Sequence, residues 1–519
     1  MFHSKGENEL AKPFPWWNEK HKKLAEEAKK FSDQNLSRGE EITWTKSFPE
    51  DILRQVGEKG WFGVLIPEAY GGMGLGVTGN CIVTEELSRI GPAVAGAYCV
   101  TMFGGVEQLL LYGSEEQKQK WLPPVAKGKV IAAIGITEPA IGSDASGIET
   151  TARHEGNEYI INGKKRFITN AGIADMHLIY AKTSEKPEDK AKYTHLGAFL
   201  IKKGTPGFSI ERINELQGWP GLPNGFLNFD EVHVPAENVI GSEGMGWKIL
   251  TDGLNFERVL FTSGMLGPIR EAIRYAVGYA QRRIQFGQPT ADFQVNQFHI
   301  ADMFAGLKTA RLLVYYAASL LDMKAEAMTE AATAKLYTSE MYGKIMSDAI
   351  QVMGGDGWTH FYPIESFMRD AKVNQIGAGT SEVMRMIIYR GELRAMGDEL
   401  KMPRRKIHEK LGVPISTTEP LPKMEANEKG ILEALAENYR VNPGLHMTRE
   451  EMKERLVKVT DEELDKLLTT LETRDMVKLY KDKRGAVLMA RATHKGLKEA
   501  KPLDYYKWFP EWLNKDYLF

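Results

Sequence analysis

Residues 351–385 read QVMGGDGWTHFYPIESFMRDAKVNQIGAGTSEVMR, and this stretch governs how the rest of the chain is interpreted. A helical run stops at Gly354-Gly355-Asp356-Gly357, an aromatic turn follows, and Arg369-Asp370 leads on to Ile376-Gly377-Ala378-Gly379-Thr380. Glycine pairs let backbone approach a neighbour closely, and Thr380 is placed to cap a last helix carrying Ser381 and Glu382. Free N–H groups at such a helix start suit an anionic or strongly polar ligand. On local physics alone, the same features serve equally to end one helix and begin the next.

Working outward, the segments before this stretch predict a helical bundle. Runs at 246–283, 293–324 and 328–352 are long, rich in Met and Ala, and apolar on one face. Further upstream, from Lys129 to about Val239, the texture is β-like: VIAAIGIT, YIINGKKRFITN, MHLIYAKT and LGAFLIKK are short, β-branched and separated by turn residues. Asn162-Gly163 has the composition of a hairpin turn. This block predicts a small antiparallel β-barrel.

The first part of the chain is mostly helical. An amphipathic helix is expected at 17–31 and another at 49–59, ended by Gly60. A third is capped by Ser114, carries Glu115 and Glu116 in its first turn, and should stop before Pro123-Pro124. The glycine-rich segment 66–74 lacks a following Lys-Ser/Thr, so it reads as a helix connection and not a phosphate loop. After Leu400 a basic and Pro/Ser/Thr-rich stretch reads as a linker. Beyond it, helical patterns at 425–439, 449–457 and 461–474 precede two strand candidates, 476–480 and 486–490, in a winged-helix outline. The expected architecture is α+β: a helical N-terminal domain (1–128), an antiparallel β-barrel middle domain (129–240), a C-terminal helical bundle (241–400), a linker (401–423) and a winged-helix-like extension (424–519).

At 519 residues the chain can bury several cores, and its 26% charged and 43% hydrophobic composition is that of a globular protein. A net charge of -2 makes no whole-chain case for a nucleic-acid or membrane-surface binder. Two cysteines, Cys81 and Cys99, exclude a disulfide framework and fit a reducing compartment. The N-terminal residues show no apolar signal region and no run of about 18 apolar residues follows, so a cytoplasmic protein is expected. His177, His299 and His360 are scattered without metal-ligand spacing and read as structural, as do Glu365, Arg369 and Asp370.

Four motifs occur in order. They are Ile134-Gly135-Ile136-Thr137-Glu138-Pro139-Ala140-Ile141-Gly142-Ser143-Asp144; Phe167-Ile168-Thr169-Asn170; QRRIQFG at 281–287 with Gln294; and the closing stretch. Singly, each has a mundane explanation as surface or cap residues. In register over about residues 10–398, they resemble the signatures of the acyl-CoA dehydrogenase family. The resemblance implies an FAD enzyme that removes a proton from Cα of an acyl-CoA thioester and passes hydride from Cβ to flavin N5. It also implies a homotetramer that hands electrons to an electron-transferring flavoprotein. Carried over residue by residue, Ile134, Ile136, Thr137, Gly142 and Ser143 would meet the flavin, its pyrophosphate or the CoA. Phe167 would pack on the isoalloxazine, where many relatives have Trp, with Ile168 and Thr169 beside N5. Arg283, Phe286 and Gln294 would contact the dinucleotide, commonly from a neighbouring subunit. Gln351, Gly354 and Gly355 would admit its adenosine end, completed by Thr380 and Glu382.

An unassisted thioester α-proton is too weakly acidic to be lost at neutral pH, so a carboxylate base is needed. Many relatives carry it as a glutamate just before the closing Gly-Thr, where this chain has Ala378. The isovaleryl-CoA and long-chain branch instead places the base on a bundle helix before an arginine, matched here by Leu254-Asn255-Phe256-Glu257-Arg258. Glu257 is therefore the candidate base and Arg258 an orienting cation, with Asn255, Ser143, Ala378 and Gly379 near the substrate. On residues alone, a Glu-Arg pair on a helix is ordinarily solvated; the gap at Ala378 and the matched position favour catalysis.

The same machinery could run as an enoyl-CoA reductase. A DNA-associated relative is a further alternative, because residues 401–519 hold 24 Lys+Arg against 20 Asp+Glu. Lys481, Lys483 and Arg484 at the wing tip could touch phosphates. Against this, Asp461, Glu462, Glu463 and Asp465 lie where a recognition helix should be basic, which favours a protein or oligomer contact.

Overall fold

The computed structural model describes residues 9–397, 423–441, 444–482 and 484–506. The chain divides into two compact units, residues 1–400 and 401–519. The expected linker, apart from Lys423, lies outside the described residues, as does Lys483.

The first unit opens with helices α1 (Glu19–Thr45) and α2 (Glu50–Glu58). Asn18 caps α1 by accepting the His21 N–H at 2.8 Å. This helix continues 14 residues past the expected end at Phe31. Its polar middle, SDQNLSR, breaks the apolar period, but Ser32 is buried and donates to the Glu86 carbonyl at 2.7 Å. A tertiary partner there replaces apolar patterning. Helix α3 (Gly76–Ile90) is buried nearly throughout, and α4 (Pro92–Thr101) opens on a proline at its first turn. Gly104 and Gly105 then break the helical dihedrals before α5 (Glu107–Tyr112). Residues Pro92–Tyr112 together are long and apolar enough to cross a membrane, which the sequence reading missed, but they are mostly buried inside this unit. Helix α6 (Glu115–Ala126) has the capping box expected of Ser114, here with Gln117. It does not stop before Pro123-Pro124 but includes both. The carbonyls deprived of partners there belong to Gln119 and Lys120, which are exposed to water.

Seven strands form the middle of the unit: β1 (Ala132–Gly135), β2 (Thr151–Glu155), β3 (Glu158–Thr169), β4 (Met176–Lys182), β5 (Leu196–Lys202), β6 (Phe208–Ile213) and β7 (Asn224–Pro235). A short helix, α7 (Pro187–Ala191), joins β4 to β5. Two corrections apply to the expected antiparallel barrel. The sheet is mixed, because β4 runs parallel to β1 and touches β2 in parallel, while its other pairings are antiparallel. It also curls without closing, since no pairing among the described residues joins β6 to β5 or β1. β4 alternates faces as a strand must: Met176, Leu178 and Tyr180 join the helical core, whereas Ile179 and Ala181 join a second core within the sheet.

The bundle consists of α8 (Gly246–Ala280), α9 (Gln294–Asp322), α10 (Met328–Met353), α11 (Ile364–Asn374) and α12 (Ser381–Met396). The tip between α8 and α9 is a small hairpin, β8 (Ile284–Gln285) and β9 (Gln288–Pro289), so α8 ends slightly earlier than expected. Asp322, the last residue of α9, accepts the Val77 and Thr78 N–H groups at 2.6 and 3.0 Å and caps α3 from across the unit.

The helices are also joined by a buried ion network. Glu85 of α3 meets Arg270 of α8 at 2.9 Å and Arg311 of α9 at 3.0 Å. Glu86 meets Arg270 at 2.6 Å and Arg89 at 2.9 Å. Arg89 reaches Glu271 and, on α1, Asp33, each at 2.7 Å.

The second unit holds α13 (Glu428–Val441), β10 (Met447–Thr448), α14 (Arg449–Arg455), α15 (Asp461–Thr473), β11 (Val477–Lys481), β12 (Val487–Ala492) and α16 (His494–Ala500). Its sheet has the order β10-β12-β11, and its own core includes Leu435, Met452, Leu468 and Val487. The three helices and two strands expected from the sequence are present with ends shifted by a few residues. β10 and α16 are additional. Arg449 binds Asp461 at 2.9 Å and Asp465 at 2.5 Å, so the acidic first turn of α15 is partly neutralised within the unit.

Removing one partner of a buried pair leaves a charge uncompensated, at a cost of about 3–5 kcal/mol. Arg270→Met, which removes the guanidinium shared by Glu85 and Glu86 and leaves the buried cluster one positive charge short, should lower the thermal unfolding midpoint sharply. A surface control, Arg54→Met, should leave it nearly unchanged.

Candidate active site

Glu257 and Arg258 lie in the first half of α8, the first partly exposed and the second buried. Arg258 is buried and donates to Asn255 Oδ1 at 3.1 Å. Burial pushes the Glu257 carboxyl up to about 7, against the opposing pull of Arg258. A carboxyl poised near neutrality can accept a proton at physiological pH.

The closing motif packs against this helix. A Cβ at Gly377 would touch the Phe261 ring at 3.4 Å, and Ala378 holds a left-handed backbone with φ 54°. The Gly379 carbonyl accepts from Lys335 Nζ at 2.6 Å. Lys335 is fully buried on α10; burial first and the Arg258 charge second push its ammonium down to about 8. Sequence reasoning missed this lysine. Its signal was a lone cation among Ala331, Ala334, Thr338 and Ser339 on the inward face of α10. Thr380 caps α12 as expected, accepting the Val383 N–H at 3.2 Å, while the buried Ser381 hydroxyl has no partner among the described residues.

A second group sits on the curled sheet. Phe167 occupies an irregularity between Lys165 and Ile168 in the β3–β7 pairing, with φ 59°. Left-handed backbone at a bulge re-aims a side chain, and the ring is half exposed with the Arg166 guanidinium 4.4 Å from its centroid. Ile168 is buried, and Asn224 donates to the Phe167 carbonyl at 3.0 Å and to the Thr169 hydroxyl at 3.2 Å. Ile134 and Ile136 flank this region on and just after β1, and the Thr137 carbonyl accepts the Arg166 N–H at 2.8 Å. The turn after Thr137 is anchored by Glu138, which takes the Glu149 and Thr150 N–H groups at 2.6 and 3.0 Å and Lys165 Nζ at 2.7 Å. Burial alone would raise this carboxyl, but Lys165 and the hydrogen bonds hold it below its ordinary value. Gly142 and Ser143 follow on an exposed rim, with open space where a Gly142 Cβ would stand.

The remaining expected residues lie elsewhere. Gln351, Gly354 and Gly355 are exposed, Gly354 with φ 62°. Arg283, Phe286 and Gln294 form an exposed ledge about β8–β9, with Phe286 95% exposed. Tyr279 ties these two regions together by donating to Asp356 at 2.5 Å. Among the described residues, no hydrogen bond, ion pair or ring contact joins this ledge to Phe167 or Glu257. Glu382 is exposed at the start of α12. His299 and His360 pair with Asp348 and Glu365 at 3.4 and 2.9 Å, and His177 is buried against Phe208. No group of residues suited to a metal ion occurs among the described residues.

Three family models match the chain in succession: the acyl-CoA dehydrogenase N-terminal domain over residues 18–129, the middle domain over 133–232 and the C-terminal domain over 244–393. An acyl-CoA dehydrogenase of Bacillus subtilis is 39% identical over 344 residues, 66% of this chain and 90% of that protein. The CarC subunit of the caffeyl-CoA reductase-Etf complex of Acetobacterium woodii is 37% identical, over 72% of this chain and 98% of its own. Butyryl-CoA dehydrogenase of Megasphaera elsdenii superposes with a TM-score of 0.71 at 32% identity, covering 74% of this chain and all of that one. The chain belongs to the acyl-CoA dehydrogenase family. It is an oxidoreductase with FAD as its cofactor. The residues fit that group. The buried Arg166 Nε and Ser381 Oγ lack hydrogen-bond partners among the described residues, and Phe167 presents a half-exposed ring next to Arg166.

The position of the Glu257 equilibrium can be read directly. The protonated-carboxyl infrared band lost in Glu257→Gln should be present below about pH 7 and disappear above it. A band that vanishes in the ordinary carboxylate range would refute the burial argument.

Proposed function

We propose that the protein converts a saturated acyl-CoA into its 2-enoyl-CoA, with Glu257 as the base that takes the Cα proton. The observation that carries this reading is a carboxyl that desolvation holds near neutrality beside the buried Arg258, in a chain with Ala378 where a base could otherwise stand. Bound FAD supplies the acceptor for the hydride that leaves Cβ. The chain's own contributions are distinct. Glu257 receives the proton on its carboxylate, and Arg258, held by Asn255, keeps a positive charge close to it. Lys335 fixes the closing turn through the Gly379 carbonyl, and Phe167 shields one side of the reaction zone from water. Excluding water strengthens each of these electrostatic effects.

Electron-transferring flavoprotein is the proposed electron partner, and the likeness to a subunit of an Etf complex supports it. That relative also favours a second reading, in which the same site reduces an enoyl-CoA. We propose a homotetramer in which Arg283, Phe286, Gln294, Gln351, Gly354 and Gly355 complete the FAD site of a neighbouring subunit. The exposed Phe286, Phe298, Trp358 and Phe361 support this. The second unit, read as a winged helix, is assigned a protein-contact role in a cytoplasmic enzyme, because acidic residues open α15.

Anaerobic addition of an acyl-CoA panel should bleach the visible flavin band of the wild type. Glu257→Gln should slow bleaching at least about 100-fold while retaining FAD. In the wild type, kcat/KM should rise with pH through about 7, because only the deprotonated Glu257 accepts the proton. Bleaching at wild-type speed in Glu257→Gln would refute the assignment. If no acyl-CoA bleaches the flavin, and enoyl-CoA instead reoxidises the chemically reduced enzyme, the reductase direction replaces it. Phe286→Asp should reduce the sedimenting species below a tetramer and lose FAD together; a tetramer that retains FAD in this variant would refute the shared site.

A further inference from the structure

On α8, the turn before Glu257 bears Gly253, and two side chains of α5 converge there. A Cβ at Gly253 would stand 2.7 Å from Gln108 Nε2 and 3.1 Å from Glu107 Oε2. The bare glycine therefore lets an amide and a carboxyl pack directly against the α8 backbone. Facing α5 from the sheet, Tyr180 projects from the helical face of β4 and is fully buried. Gly105 permits this approach, since a Cβ on it would collide with Met176 Cε at 2.5 Å.

These groups are poorly satisfied by one another. The Tyr180 hydroxyl and the Gln108 amide oxygen are buried and lack hydrogen-bond partners among the described residues. Glu107 has one long contact, from Gln108 at 3.4 Å. Burial, followed by the charges of Glu257 and Asp252, holds the Glu107 carboxyl well above its ordinary value. An unsatisfied buried polar group is destabilising, and an apolar acyl tail would leave it uncompensated. A Leu or Val at any of these positions would suit a hydrocarbon chain better.

We propose that Glu107, Gln108 and Tyr180 form a specificity recess for a hydroxyl carried on the acyl chain, one helical turn from Glu257. The proposal rests on the acyl-CoA reading above. A hydroxyl both donates and accepts, so it can donate to the Gln108 oxygen while accepting from Tyr180. Acidic neighbours disfavour a terminal carboxylate: Glu257 and Asp252 flank Glu107, and the cation nearest Asp252, Lys248, is already paired with it at 2.6 Å. A site built to bond a hydroxyl discriminates strongly against the analogue that lacks it.

The test compares kcat/KM for matched series of straight-chain acyl-CoAs and ω-hydroxyacyl-CoAs, using the FAD-loaded full chain. The wild type should favour a hydroxyacyl-CoA at least about tenfold over its unsubstituted partner. Tyr180→Phe and Gln108→Met, which remove the two hydrogen-bonding groups and roughly preserve shape, should bring that ratio toward one. A wild-type ratio near one, or a ratio unmoved in both variants, overturns the proposal. If the unsubstituted series alone reduces the flavin, acyl-CoA oxidation stands and the recess is refuted. If neither series does, the acyl-CoA reading itself fails.

Discussion

Three carboxylates and three guanidinium groups, buried together where α1, α3, α8 and α9 meet, are the constraint on which the first unit depends. Glu85, Glu86 and Glu271 balance Arg89, Arg270 and Arg311 in formal charge, and Tyr315 adds a hydrogen bond to Glu85 at 2.7 Å. Such a cluster adds little net stability over a well-packed apolar core, because every ion must first be dehydrated. Its value is selectivity, since a helix shifted by one turn would strand a charge. The register of α8 against α3 is thereby held, and with it the height at which Glu257 meets the cleft.

The curled sheet is tied to this helical frame by polar contacts of the same kind. Asn170, after β3, donates to the Ala97 and Ala132 carbonyls at 3.2 and 2.8 Å. Asp370 takes the Trp219 N–H at 2.5 Å, and Arg369 reaches the Gln217 carbonyl at 3.2 Å. Burial pushes the Asp370 carboxyl up to about 7, with the Trp219 N–H opposing. The Arg369-Asp370 pair in the closing stretch thus clamps the loop before β7 onto α11. Gln117 does the same from α6, donating to the Glu237 and Val239 carbonyls at 2.8 Å each. The Phe167 and Glu257 regions are consequently held within one unit by a few polar side chains, each fastened to backbone carbonyls or N–H groups of another element.

Much of this was legible in the sequence because it is local. The Ser114 and Thr380 caps, the β-branched strands and the long helices each announce themselves within a few residues. Glu257-Arg258 was found through the gap at Ala378 and the matched position, not through periodicity. What escaped was long-range. α1 outruns its apolar pattern because Ser32 finds the Glu86 carbonyl, and α6 tolerates two prolines because water serves the carbonyls they leave. The sheet's parallel β1–β4 pairing is invisible to strand alternation. Lys335 and Glu107 read as ordinary surface charges until the fold buries them, since burial belongs to the packed chain and not to the residue.

The Asp322 cap has a consequence for how the chain is made. The N–H groups it receives on α3 belong to residues 245 and 244 positions earlier. At about 5–20 residues per second, a ribosome takes roughly 12–50 seconds to bridge that gap. Throughout this interval α3 has an open first turn, and Glu85 waits for Arg270 and Arg311. The N-terminal helices therefore emerge as a nascent segment whose electrostatic partners do not yet exist, and their final packing waits for α8 and α9 to follow. A chain of this design is exposed to chaperone capture and misassembly until α9 has emerged, because α3 finds its partners only within the completed unit of residues 1–400.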